Sequence, residues 1–223
     1  MHSASDLPAL GGGEVSTHYR LASLIAGFAA LVCLTFSAPA FAQKASVSSQ
    51  SKYVRVNAHE SDVIFCHGFG CRFETEVPFK DDEIAKLRGI LATGADGPEQ
   101  EREAVKQAVA YFERHAAEFA GTGKDIAGNY TIGGDPTQLD CIDEAHNTAR
   151  LLILLQKHGF LKYHTVAKIE GRGNFLDTRY PHNTAVLKDK TTGVKWSVDS
   201  WMRHNGDIPE VMTLKRWFRE GYS

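Results

Sequence analysis

The feature that most constrains the fold is a stretch too apolar to lie on a surface. From Cys141 to His158 the sequence reads as one helix, with Asp140 as N-cap and Gly159 closing the far end. Its second half contains Leu151-Leu152-Ile153-Leu154-Leu155, apolar nearly all round. A helix of that kind is buried inside a fold, not laid on it by one face. Whatever else the chain forms must wrap around this helix.

The surroundings supply both kinds of wrapping. Residues 53–79 hold short β-like pieces. A helix is expected from Asp81 to Leu91, and Gly94-Ala95-Asp96-Gly97-Pro98 breaks it. A second helix follows with Pro98 in its first turn and Glu99 and Glu101 at its positive end. Its apolar positions Val105, Ala108, Val109, Phe112, Ala116 and Phe119 have helical spacing, and Gly121 stops it. Residues 121–138 are a Gly-, Thr-, Asp- and Pro-rich loop. Gly121-Thr122-Gly123-Lys124 is not a phosphate loop, because it follows a helix and lacks the spacing. After the buried helix come three strands: Tyr163 to Glu170, His182 to Lys188 and Val194 to Ser200. Helices, one buried helix and an antiparallel sheet make an α+β chain.

The chain has 223 residues, 43% hydrophobic and 23% charged, which suits one globular domain. A net charge of -2 gives no basic surface, so no nucleic-acid partner is expected. Residues 1–42 read as a signal peptide. Arg20 precedes an apolar run from Leu21 to Phe36, and Ala40-Phe41-Ala42 offers a cleavage site before Gln43. A retained anchor is the alternative, although the run is shorter than the roughly 20 residues of a span. Residues 43–52 are Ser-rich and read as a flexible lead-in, which leaves 53–223 as the single domain. The protein is expected in the periplasm or outside the cell, with no stable membrane span once the leader is removed.

Three cysteines remain beyond the leader: Cys66, Cys71 and Cys141. In an oxidising compartment two can pair. Cys66 and Cys71 enclose His67-Gly68-Phe69-Gly70, a tight loop that two glycines make easy to close, so a Cys66–Cys71 disulfide is favoured. A redox-active or metal-binding Cys66-His67-Cys71 cluster is the alternative, although three ligands fall short of a closed zinc site. No metal and no cofactor is expected, and no acidic loop has the spacing of a calcium site.

The remaining thiol, Cys141, stands at a helix start, where free N–H groups favour a thiolate. Asp140, Asp143 and Glu144 work against it, so activation needs an imidazolium nearby. Strand pairing suggests one. Matching apolar residues pairs Leu187 with Val194, Ala185 with Trp196 and Asn183 with Val198, and that register sets His182 opposite Asp199. A buried structural cysteine and an incidental surface His–Asp pair are the bland readings of the same residues.

These segments resemble something known. Gln138-Leu139-Asp140-Cys141-Ile142-Asp143-Glu144-Ala145, His182-Asn183-Thr184-Ala185-Val186-Leu187 and Trp196-Ser197-Val198-Asp199-Ser200-Trp201 look like the core of the transglutaminase-like cysteine peptidase superfamily, nearest to the bacterial transglutaminase-like cysteine proteinases. The resemblance covers roughly residues 98–205. It implies a papain/transglutaminase-like core, with N-terminal helices and a nucleophile helix packed on an antiparallel sheet. It also implies Cys141 as nucleophile, His182 as base and Asp199 as orienter. The oxyanion donor would be the Cys141 backbone N–H or the Gln138 side chain.

The activity so implied is thiol-dependent amide hydrolysis on a protein or peptide, cell-wall peptide included. An acyl transferase and a non-catalytic binding module of the same fold are the alternatives, and a redox protein built on Cys66 and Cys71 is a fourth. His146 reads as a surface or core histidine. His164 begins a strand without a carboxylate in register. Asn147 and Asn183 are candidates to hydrogen-bond around the triad. Trp196, Trp201 and Trp217 read as core.

Overall fold

A computed structural model describes residues 46–57, 60–130, 133–173 and 180–220. The expected leader and its cleavage site lie outside the described residues. The described chain begins with a short helix, α1 (Val47–Ser51), capped by the Ser46 hydroxyl, which accepts the Ser49 N–H at 3.1 Å. A helix thus stands at Val47–Ser51 where the sequence reading expects a flexible lead-in over 43–52; residues 43–45 lie outside the described residues. Gln50 is buried, and its side-chain oxygen accepts from Arg150 Nε at 3.1 Å. Polar composition here marks hydrogen bonding to the body of the protein.

Strands β1 (Val54–Val56), β2 (Glu60–His67) and β3 (Phe73–Lys80) form an antiparallel sheet in that order. The β2–β3 connection is the cysteine loop, and Cys66 and Cys71 are disulfide-bonded as expected. Gly68, Phe69, Gly70 and Cys71 all have left-handed φ values, from 57 to 81°. Glycine adopts that region freely, whereas Phe69 and Cys71 need compensation. The backbone N–H groups of both donate to the carboxylate of Asp143, at 2.7 and 2.5 Å.

Helices α2 (Asp81–Ala92) and α3 (Pro98–Ala120) fall where the punctuation places them, and Gly121 caps α3 at φ 75°. The central helix α4 (Cys141–Lys157) begins at Asp140, whose side chain accepts from Ile142 N and Asp143 N at 3.0 and 2.9 Å. Leu151 to Leu155 are at most 2% exposed. They share one core with Phe65, Val77 and Phe79 of the first sheet and with Val105, Val109 and Phe112 of α3. The same core includes Ala185, Leu187 and Val198 of a second sheet.

That second sheet is antiparallel, in the order β4 (His164–Arg172), β5 (His182–Asp189), β6 (Lys195–Asp199), β7 (Glu210–Thr213). Helix α5 (Leu214–Arg219) follows β7. Neither β7 nor α5 is anticipated by the sequence reading. The whole is α+β with two antiparallel sheets.

The β5–β6 register differs from expectation by two residues. Leu187 pairs with Trp196 and Ala185 with Val198. The turn is the cause. The Asp189 side chain accepts the N–H groups of Thr191 and Thr192 at 2.8 and 2.7 Å, and Gly193 turns left-handed at φ 70°. Val194 is drawn into the turn and stays 42% exposed, so it cannot face Leu187. Side chains alternate with period two, so a two-residue slip keeps every residue on its face. His182 and Asp199 still share a face, as diagonal neighbours and not as a directly opposed pair.

Candidate active site

Cys141 is the one free cysteine among the described residues, and it is 6% exposed. Its thiol lies 3.7 Å from the Pro181 carbonyl oxygen, and Asn183 Nδ2 stands 4.0 Å from its sulfur. The thiol therefore sits where β5 begins, between the two neighbours of His182. The face of the sheet matters here. Ala185 and Leu187 point toward α4, whereas Val186 packs with Leu214 and Trp217 of α5. By alternation His182 and Thr184 belong to the α5 side. The helix does not lie on the face that carries His182. Its first residue reaches round the end of the sheet instead.

His182 is buried, and its Nε2 lies 2.6 Å from Asp199 Oδ2. A carboxylate accepts, so Nε2 carries the proton and Nδ1 is the lone-pair nitrogen. The same Oδ2 accepts from Trp217 Nε1 at 2.7 Å. Two indoles enclose the imidazole. Trp201 stacks on one side with centroids 4.8 Å apart, and Trp217 lies 5.5 Å away. Water is excluded from a hydrogen bond that must hold one tautomer.

Burial pushes the Cys141 thiol up to about 12, the Asp140 charge adds to this, and the Asn183 N–H groups pull the other way. At neutral pH the resting group is a thiol, so the helix start alone does not create a thiolate. The main reason is burial, to which the neighbouring Asp140 charge adds.

Those acids have structural work. Asp143 holds the disulfide loop. Glu144 Oε2 accepts from Ser200 Oγ at 2.6 Å, which ties α4 to the residue after Asp199. Asp125 Oδ1 accepts the Leu139 N–H at 2.7 Å, just ahead of α4. Burial raises all three carboxyls, Asp125 and Asp143 to about 7 and Glu144 well above its ordinary value. Asn147 clamps Cys66 from both sides, accepting its N–H at 2.6 Å and donating to its carbonyl at 2.7 Å.

Gln138 is not brought to the thiol. Its Nε2 donates to the carbonyls of Lys124 and Thr137 at 3.0 and 3.3 Å, and its Oε1 accepts from Asn129 at 3.0 Å. It braces the loop. Asn183 is the amide that faces Cys141.

The Cys66-His67-Cys71 cluster does not form either. His67 turns away to Pro136 O and Thr75 Oγ1, at 2.6 and 2.9 Å. The imidazole near the disulfide is His146, which burial holds neutral, lowered to about 4. Contrary to expectation, His164 has a carboxylate in register, Asp189 directly opposite it on β5, and it has a second carboxylate neighbour from α3. Glu101 Oε1 lies 2.9 Å from its Nδ1, but that pair is fully buried at the opposite end of β4 from His182. Trp196 packs against the core, opposite Leu187, with the Arg102 guanidinium 3.6 Å over its ring.

Trp217 is the residue of the candidate site that the sequence reading undervalues. Nothing in a short segment such as Leu-Lys-Arg-Trp-Phe-Arg says that its indole meets Asp199. No helix of the described residues is long and apolar enough to cross a membrane. No family model matches the chain, and neither a curated protein nor a solved structure matches it.

Proposed function

We propose that this protein is an exported thiol hydrolase that cleaves an amide bond through Cys141, His182 and Asp199, on a papain/transglutaminase-like core. One observation carries the reading. A buried imidazole is hydrogen-bonded to a buried carboxylate, and a free thiol lies against the residues on either side of that imidazole. The Cys66–Cys71 disulfide supports an oxidising compartment, the periplasm or outside the cell.

The raised thiol dictates the order of events. His182 Nδ1 takes the Cys141 proton as the sulfur attacks the carbonyl carbon, and does not store it beforehand. The Asn183 side-chain amide, 4.0 Å from the sulfur, and the Cys141 backbone N–H serve as the oxyanion donors in this reading; the N-cap uses the N–H groups of Ile142 and Asp143. The C–N bond then breaks, the leaving amine takes the proton from His182, and a thioester remains. Water attacks the thioester, gives its proton to His182 and releases the carboxylic acid with the thiol restored. An amine in place of water would make the protein an acyl transferase.

The raised thiol also favours a rival reading, a binding module of the same fold without catalysis. Iodoacetamide separates the two. The hydrolase reading expects the alkylation of Cys141 near pH 7 to depend on His182, which takes the proton as the sulfur attacks, so His182→Ala should slow it on the order of a hundredfold. A rate unchanged by His182→Ala overturns it.

A further inference from the structure

One face of α4 is turned to the disulfide loop. Asp143, His146 and Asn147 are three and four residues apart, so they share that face. Asn147 grips Cys66 by its backbone N–H and its carbonyl, and Asp143 accepts the backbone N–H of Cys71. Both cysteine backbones are thus held independently of the S–S bond. A ring nitrogen of His146 and the sulfurs of Cys66 and Cys71 all lie within 4.8 Å of one another.

The imidazole is prepared as a ligand. Its Nδ1 lies 3.2 Å from Gln50 Oε1, and Arg150 Nε donates to the same atom at 3.1 Å. That atom is an acceptor, so Nδ1 carries the proton and Nε2 keeps the lone pair. A ring N–H anchored on a carbonyl oxygen is the way metal-ligating histidines are held. Burial keeps the ring neutral, lowered to about 4, so no proton competes for Nε2 at neutral pH.

We infer that Cys66, Cys71 and His146 form a zinc site when the disulfide is reduced, with the two sulfurs and Nε2 as ligands and a water in the fourth position. The thiol-hydrolase reading uses none of these side chains, so the inference stands apart from it. The residue types select the ion, because thiolate and imidazole favour zinc over calcium or magnesium. The Cys-x4-Cys spacing falls within the range of zinc loops. Two thiolates cancel the charge of the ion, and a neutral imidazole adds none, so the cluster needs no further counter-charge when buried. Cys66 is fully buried and closes the inner side. Cys71 is partly exposed, which gives the ion and the water a way in. Three protein ligands and an open position are the set of a reactive zinc. Disulfide and zinc exclude each other as two states of one loop.

The test reduces the full chain with a phosphine. The phosphine takes the oxygen of a water and becomes its oxide, while the two sulfurs take that water's two protons. Both protons pass to solvent as the sulfurs bond the metal. Uptake of added zinc is measured by equilibrium dialysis. The reduced protein should take up a single zinc ion and the oxidised protein none. Cys141→Ser should leave uptake unchanged, because that thiol sits at the Pro181 carbonyl. Cys71→Ser and His146→Ala should each weaken uptake roughly a hundredfold or more, with the far-ultraviolet spectrum unchanged. Zinc-edge X-ray absorption of the wild type needs no variant, and should show two sulfurs at about 2.3 Å and an imidazole nitrogen at about 2.0 Å. Zinc bound equally by the oxidised protein overturns the inference, as does uptake that survives His146→Ala or a zinc shell without the imidazole. A reduced protein that binds no zinc overturns it too, whether or not it keeps its far-ultraviolet spectrum. Uptake lost in Cys141→Ser assigns the ion to the candidate active site and overturns it as well.

Discussion

Trp217 Nε1 donates to Asp199 Oδ2 at 2.7 Å, and that same oxygen lies 2.6 Å from His182 Nε2. The carboxylate is held from a second direction, by a side chain of α5. Trp217→Phe keeps a ring against His182 and removes the donor. A hydrogen bond to a charged group is worth about 1.5–3 kcal/mol. On the hydrolase reading the Cys141 alkylation rate should fall roughly tenfold or more, with the far-ultraviolet spectrum unchanged. An unaltered rate would reduce Trp217 to packing.

The thiol invites a change in the opposite direction. Asp140 is the largest charge acting against the Cys141 thiolate, and its side chain is also the N-cap. Asparagine caps a helix about as well as aspartate and carries no charge. Asp140→Asn should move the pH dependence of Cys141 alkylation to lower pH and leave thermal stability nearly unchanged. A midpoint that stays in place would mean that burial alone sets the thiol.

How much of this was legible in the sequence depends on whether the signal was local. The buried helix, its Asp140 cap and the Pro98 and Gly121 boundaries were readable because each depends on a few neighbouring residues. The His182–Asp199 pair was readable for a subtler reason. The register was misjudged by two residues at the Asp189 turn, yet period two kept both side chains on one face. Face is robust to such a slip, and exact opposition is not. Helix α1 is not legible because a Ser-rich segment has no apolar stripe, and what orders it is distant in sequence: Arg150 and His146 at Gln50, Lys157 at the Ser51 carbonyl, and Val47 against the core. The Glu101 partner of His164 comes from helix α3, so no strand register could predict it. Gln138 was misplaced for a similar reason: its proximity to Cys141 along the chain says nothing about where its amide points.

The disulfide loop gives a stability prediction. Asp143 accepts two backbone N–H groups from residues held at left-handed φ. Asp143→Ala leaves both donors without that partner inside the fold, at about 1–3 kcal/mol each. Urea unfolding with the disulfide intact should show a loss of roughly 2–4 kcal/mol, only partly recovered in Asp143→Asn, whose single amide oxygen replaces one of the two accepting oxygens. A loss no larger than a surface substitution gives, about 0.5 kcal/mol, would show that the disulfide alone holds the loop.

Four buried carboxyls give the last prediction. Burial raises Glu113 to about 8, Asp125 and Asp143 to about 7, and Glu144 well above its ordinary value. The unfolded chain titrates them near 3.8 for Asp and 4.5 for Glu. Between those limits the folded state holds more protons, so stability is fully present at low pH and falls as pH rises through the folded values. His146 acts the other way. It is lowered from 6.5 to about 4, so its contribution is lost as pH falls through that window. Above 6.5 the imidazole no longer counts, and only the raised carboxyls lose protons up to about 8. The urea midpoint should therefore be lower at pH 8.5 than at pH 6.5, at fixed ionic strength. Glu113→Gln, which keeps the shape and cannot ionise, should flatten part of that slope. A midpoint equal or higher at pH 8.5 would mean that these carboxyls are already ionised in the folded protein, their charge balanced from within the fold.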